Sequence, residues 1–212
     1  KGRLYPGSPA EEPATRRKLN REGMNIGEVL NERSTIWRRL DMPGHEAVRV
    51  YGDGDGWYLD GAAVFVYEGK PCRLEYLIEC DLDWRTVFAN VDGWVGDDLI
   101  ECEIQANEDG AWFLDGQETV AVQNCIDLDL NFSPVTNVLP IKRLGLSVGQ
   151  SETVRAAWLR FPSFSLEPLE QAYSRTSEFI YSYRSGTGFE AEITVDRFGL
   201  PVEYSGLWIA EG

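Results

Sequence analysis

Apolar and polar residues alternate one for one along much of this chain, the period of a strand that buries one face and wets the other. In residues 73–80, Leu74, Tyr76, Ile78 and Cys80 share one side, with Arg73, Glu75 and Glu79 on the other. In residues 100–106, Ile100, Cys102, Ile104 and Ala106 oppose Glu101, Glu103 and Gln105. The same rhythm sets Phe189, Ala191, Ile193 and Val195 against Glu190, Glu192, Thr194 and Asp196, and puts Tyr173, Phe179, Tyr181 and Tyr183 on one face. Residues 154–161 are apolar on both sides, as in a more central strand.

Turn signals punctuate these runs: Asp53-Gly54-Asp55-Gly56, Asp60-Gly61, Glu68-Gly69, Asp92-Gly93, Asp109-Gly110, Asp115-Gly116, Ser185-Gly186 and Phe198-Gly199. Several suit tight hairpins. Helical signals are sparse, with room for a short turn in residues 28–40 and another in 168–172. The pattern predicts an all-β chain with few short helices. Its expected form is a largely antiparallel curved sheet of about ten strands, an open barrel or a sandwich. Ile100-Glu101-Cys102-Glu103-Ile104 is echoed 89 residues later by Phe189-Glu190-Ala191-Glu192-Ile193, which raises the option of two related halves.

With 212 residues, 43% of them hydrophobic, the chain is long enough for one sizeable core without a metal or disulfide staple. The expected division is a flexible charged extension over residues 1–23, with Met24 a candidate start, and a single domain over 24–212. The extension holds six basic and three acidic side chains, or +3, so the remainder of a chain at −15 carries −18. So acidic a surface repels phosphate backbones and anionic bilayers, which argues against nucleic acid as a partner. No apolar run approaches the ~20 residues that span a bilayer, and no secretory signal is evident in the N-terminal residues, so a cytoplasmic protein without stable membrane insertion is expected. Cys72, Cys80, Cys102 and Cys125 form no C-x-x-C pair, so zinc is not expected and buried reduced thiols are. Asp53-x-Asp55 lacks the twelfth-position Glu of a calcium loop, Val64 standing there. No metal and no cofactor are expected.

Residues 124–144 depart from the alternating pattern. Cys125, Asp127 and Asp129 alternate with Ile126, Leu128 and Leu130, so a strand would place both carboxylates on one face. Pro134 and Pro140 then bar a regular central strand, Thr136-Asn137 is a natural turn or cap pair, and Arg143 offers a bidentate partner for a carboxylate.

This stretch resembles the Cys-x-Asp-x-Asp…Thr-Asn-x-Leu-Pro-Ile-x-Arg-Leu core of the Putative glycolipid-binding family, a bacterial family of unproven function. The resemblance extends through Trp37-Arg38, Tyr76-x-Ile78-x-x-Asp81-x-x-Trp84-Arg85, Gly110-x-Trp112, Trp158, Gln171-x-Tyr173 and Asp196-x-x-Gly199-x-x-x-x-Tyr204, over about residues 36–210. It implies a fold like that of periplasmic lipoprotein carriers, in which an unclosed barrel grips acyl chains.

The expectation is therefore non-enzymatic binding of a lipid or glycolipid in a cavity between curved sheets. Trp84, Trp112, Trp158 and Tyr173 are candidates for an aromatic wall, and Arg85, Asp127, Asp129, Asn137 and Arg143 for head-group contacts. Asp127, Asn137 and Arg143 are further expected to be buried and bonded near one another. One alternative is a hydrolase using Asp127 and Asp129 as acid and base, though no separate nucleophile accompanies them. His45, the only histidine, lies in an apparent surface turn and is not expected to be catalytic. The other alternative is an interaction module, a homo-oligomer included, with no small ligand.

Overall fold

The computed structural model describes residues 30–211; the extension expected over residues 1–23 lies outside the described residues. A first meander runs through β1 (Leu30–Arg39), β2 (Gly44–Gly52), β3 (Trp57–Tyr67), β4 (Lys70–Cys80), β5 (Thr86–Val95), β6 (Asp98–Ala106), β7 (Trp112–Leu114) and β8 (Gln117–Glu118). Then come β9 (Asp127–Leu130) and the short helix α1 (Val138–Leu144). A second meander follows: β10 (Ser151–Arg160), β11 (Ser165–Arg175), β12 (Ile180–Ser185), β13 (Glu190–Val195), β14 (Pro201–Tyr204) and β15 (Trp208–Ala210).

The fifteen strands of the described residues form one curved sheet in the order β8-β7-β6-β5-β4-β3-β2-β1-β15-β14-β13-β12-β11-β10-β9. The two meanders join where β1 pairs with β15, Trp37 lying opposite Ala210. The described pairings are antiparallel except that of β9 with β10. The sheet does not close into a hydrogen-bonded barrel. The β9 edge instead meets the start of β5 through Thr86, whose amide donates to Ile126 O at 3.2 Å and whose hydroxyl accepts from Leu128 N at 3.0 Å. An all-β, largely antiparallel, unclosed curved sheet is thus the fold.

The period-2 readings place the core correctly. In β4, Cys72, Leu74, Tyr76, Ile78 and Cys80 are all buried while Arg73 is exposed. The two echoed runs fall on β6 and β13. Four local expectations fail. Among the described residues, 30–39 and 168–172 lie in strands β1 and β11 rather than in helix, while 28 and 29 lie outside the described residues. Asp60-Gly61 and Asp92-Gly93 are not turns but lie inside β3 and β5. Each glycine there answers close packing: a Cβ on Gly61 would lie 2.3 Å from the Tyr76 ring, and one on Gly93 would lie 2.0 Å from Arg73 O.

The interior is occupied. Trp37, Trp112, Tyr173, Phe132, Leu59 and Leu74 are among the largest side chains fully removed from solvent. Each such burial contributes on the order of 1.5–3 kcal/mol. The connection from β9 to α1 runs inward, and residues 132–141 are buried without a break. This segment is a plug, so the space in which a cavity between the sheets was expected holds side chains. Pro140 sits in the first turn of α1, where no intrahelical N–H is lost, and Gly145 ends the helix in the left-handed conformation, φ 53°.

Candidate functional site

The plug is tied down by the polar residues that the sequence singled out. Arg143, at the last turn of α1, donates from Nε and Nη2 to the two carboxylate oxygens of Asp127 at 2.9 and 2.5 Å. Burial raises the Asp127 carboxyl from its ordinary value, against the hydrogen bonds and charge of Arg143 and the charge of Arg85. Asp129 accepts from Gln171 Nε2 at 2.5 Å, and the same nitrogen lies 3.0 Å from the Tyr183 hydroxyl. Burial pushes Asp129 up to about 6, opposed by that Gln171 bond. Asn137 does not join Asp127 and Arg143 by a hydrogen bond. Its amide donates to Pro134 O at 3.0 Å, and its carbonyl accepts from the Tyr173 hydroxyl at 2.9 Å. With both Asp127 oxygens committed to Arg143, the pair of aspartates reads as an anchor for the plug.

The aromatic candidates separate. Trp112 is buried and donates to Cys125 O at 2.9 Å. Trp158 is half-buried beside the Arg160 guanidinium, 5.4 Å away. Tyr173 stacks edge-on with Tyr183 inside the second meander. Trp84 is buried too, but its ring packs against Trp57 and Phe198, which line a depression that the sequence did not point to.

That depression, of about 610 Å³, is lined by Arg33, Trp57, Lys142, Asp196, Arg197 and Phe198. Trp57 and Trp84 stack with centroids 4.3 Å apart and planes 19° from parallel, and Phe198 meets them at 5.8 and 5.9 Å. Lys142 Nζ stands 4.3 Å from the Phe198 centroid and 5.5 Å from that of Trp84. Arg33 faces Phe198 from 5.8 Å. Burial lowers the Lys142 ammonium from its ordinary value, and Asp196 opposes that shift.

Local backbone chemistry sets both turns that form this site. Between β4 and β5, Asp81 Oδ1 accepts from the amides of Asp83 and Arg85 at 2.9 and 2.8 Å. This holds Trp84 at φ 66°, a left-handed conformation that a bulky side chain rarely adopts. Between β13 and β14, Asp196 Oδ1 accepts from the amides of Phe198, Gly199 and Leu200 at 2.9, 2.9 and 2.8 Å. The sequence held a signal for each, since Trp84 lies in the family motif and Phe198-Gly199 was legible as a turn. Only the fold brings them to α1.

A second polar cluster lies inside the first meander. Glu46, 1% exposed on β2, accepts at Oε1 from the hydroxyls of Tyr76 and Ser133, each at 2.5 Å. Its Oε2 has no hydrogen-bond partner among the described residues. Burial pushes this carboxyl up to about 7, against both hydroxyls and the charge of Arg39. The neighbouring His45 is exposed and lies 3.2 Å from Glu211. The four cysteines are buried and free. Among the described residues, no group of three or more His, Cys, Asp or Glu side chains could hold a metal ion. No helix there is long and apolar enough to cross a membrane.

An unclosed β-sheet packed on an internal plug, with one aromatic and cationic mouth, defines the class of protein. The chain belongs to the Putative glycolipid-binding family, whose model matches residues 34–210. It is similar to the crystal structure of a DUF1089 family protein from Pseudomonas aeruginosa, with 25% identity, a TM-score of 0.68, and 98% of this chain and 99% of that one covered. It is also similar to a β-barrel-like protein, a domain of unknown function (DUF1849) from Brucella abortus, at 8% identity and a TM-score of 0.50 over 87% of this chain and 95% of that one. That second likeness concerns the fold alone. No curated protein matches the chain.

Proposed function

We propose that this protein binds a lipid or glycolipid without chemical turnover, taking its head group at the mouth formed by Trp57 and Phe198, with Trp84 packed behind them. The observation that carries this reading is the set of three packed aromatic rings beside an open depression and flanked by cations. Aromatic faces cover the apolar faces of sugars and glycerol, while cations and amides take the hydroxyls. The family's description supports the ligand class. In this reading Trp84 backs the mouth, while exposed Arg85 does not line it. Asp127, Asp129, Asn137, Arg143 and Tyr173 hold the plug behind the mouth, whereas Trp112 and Trp158 take no part. Because residues 132–141 fill the interior, the acyl chains stay in the bilayer or micelle.

Flotation with phosphatidylcholine vesicles containing a glycosylated diacylglycerol tests this. The protein should float with the vesicles, and Trp57→Ala should weaken flotation while circular dichroism stays unchanged. Failure of every lipid and glycolipid tried to carry the protein or perturb its tryptophan emission at near-millimolar concentration would overturn the reading.

A further inference from the structure

We infer that the head group taken at this mouth is anionic, bearing a phosphate, sulfate or carboxylate held by Arg33, Lys142 and Arg197. The inference rests on the head-group reading above and narrows its ligand.

The argument begins with charge distribution. The chain has 35 acidic and 20 Lys and Arg side chains, yet three of those 20 line one depression that contains a single acid, Asp196. One oxygen of Asp196 is already committed to three backbone amides. A second depression, about 540 Å³ on the outer face of β1–β4, has the opposite balance: Arg49 against Asp60, Glu75 and Glu211.

What sets these cations apart is that three without a carboxylate partner converge on one depression. Arg38, Arg39, Arg49, Arg73, Arg143, Arg160 and Arg184 all have acidic partners within 4 Å. Arg33, Lys142 and Arg197 form no ion pair among the described residues; Lys70, Arg85, Arg155 and Arg175 share that condition, but none of those four lines this depression. Lys142 is the telling one, because its ammonium is half-buried over Phe198 and pairs with no carboxylate within 4 Å, Asp196 acting on it only from farther off. A desolvated cation attracts an anion more strongly than a hydrated one, and two guanidinium forks beside it suit planar or tetrahedral oxyanions. The overall charge of −15 repels anions from afar. At physiological salt that repulsion is screened beyond roughly 8 Å, so the local cations dominate a bound head group.

The test compares phosphatidylcholine vesicles carrying a neutral galactosyl diacylglycerol with vesicles carrying its sulfated analogue or phosphatidylglycerol, using the full chain. Preference for the anionic lipids by about tenfold or more is expected, lost in Lys142→Gln/Arg197→Gln and kept in Arg184→Gln, which alters an exposed outer pair. Soluble galactose 6-phosphate and glycerol phosphate form the other arm. If they bind with the same dependence on Lys142 and Arg197, the anion site stands and its source is a free metabolite. Equal binding of neutral and anionic lipids, or an undiminished preference in the double variant, would overturn the inference while leaving the head-group reading intact. Absence of binding to any vesicle or soluble head group would remove both.

Discussion

Asp127 and Arg143 face each other across the base of the plug, two oxygens to two nitrogens, with the carboxylate side chain 1% and the guanidinium side chain 14% exposed. Their sequence separation is 16, so the pair closes the whole β9-to-α1 excursion on itself. The bond stabilises the plug as a unit, because the carboxylate has almost no access to water and the guanidinium little.

Arg143→Ala therefore leaves a buried carboxylate uncompensated. The expected loss in urea unfolding at pH 7 is roughly 3–5 kcal/mol, with Arg143→Lys intermediate because it retains charge without the fork. The deficit of Arg143→Ala should shrink at pH 4, where Asp127 can take up a proton. A pH-independent loss below about 1 kcal/mol would show that the pair is not what holds the plug.

Much of this anchor is legible in the sequence. The alternation of Cys125, Asp127 and Asp129 with apolar neighbours, the two prolines and Arg143 all lie within one stretch of sequence. The strands were legible for the same reason, since burial repeats every second residue along β4, β6 and β13. Two kinds of feature were not. Glycines that admit a neighbour, such as Gly61 and Gly93, look like turn glycines until the partner strand is known. The mouth joins Arg33, Trp57, Lys142 and Phe198, contributed by four separate parts of the chain, and no local period relates them. Glu46 was hidden differently: a glutamate beside an exposed histidine reads as surface, and only its alternation with Val48 and Val50 hints that it points inward.

Gly61→Ala tests the packing reading of that glycine. The new methyl would lie 2.3 Å from Tyr76 Cζ and hydroxyl, displacing the ring from Glu46. A loss of roughly 1–3 kcal/mol is expected. In a Tyr76→Leu background the same substitution should cost clearly less, since the group it strikes is gone. Equal costs in the two backgrounds, measured by chemical denaturation, would refute the contact.

The thiols provide a probe of how tightly the interior is filled. Burial pushes Cys102 and Cys125 up to about 11 and Cys80 well above its ordinary value. At pH 8 a thiol with such a pKa is thiolate in only about one molecule in a thousand, and only the thiolate attacks a disulfide reagent. Native protein should thus react slowly with an aromatic disulfide, and all four cysteines promptly in denaturant. A fast equivalent in the native state would mean that the interior opens readily.

Glu46 makes the last prediction, about pH. Its carboxyl rises from 4.5 to about 7 in the folded state, mainly through burial, while Tyr76, Ser133 and Arg39 favour the charged form. A folded pKa above the unfolded one means that the native state binds the proton more tightly. The associated stability is fully present below pH 4.5, falls as pH rises toward 7, and is absent above. The shift corresponds to about 3 kcal/mol at most. Asp127 and Asp129 are shifted in the same direction, so the wild-type curve alone does not isolate Glu46. Glu46→Gln does, because the amide retains an acceptor for Tyr76 and Ser133 but has no proton to lose. Stability of Glu46→Gln minus wild type should increase between pH 4.5 and 7 by roughly 3 kcal/mol and then level off. Tyr76→Phe removes one donor to the charged form, so its own decline should extend to higher pH than that of wild type. Both can be followed by urea unfolding at half-unit intervals of pH. A Glu46→Gln difference that stays flat across that range would mean that Glu46 ionises as readily in the folded protein as in the unfolded chain.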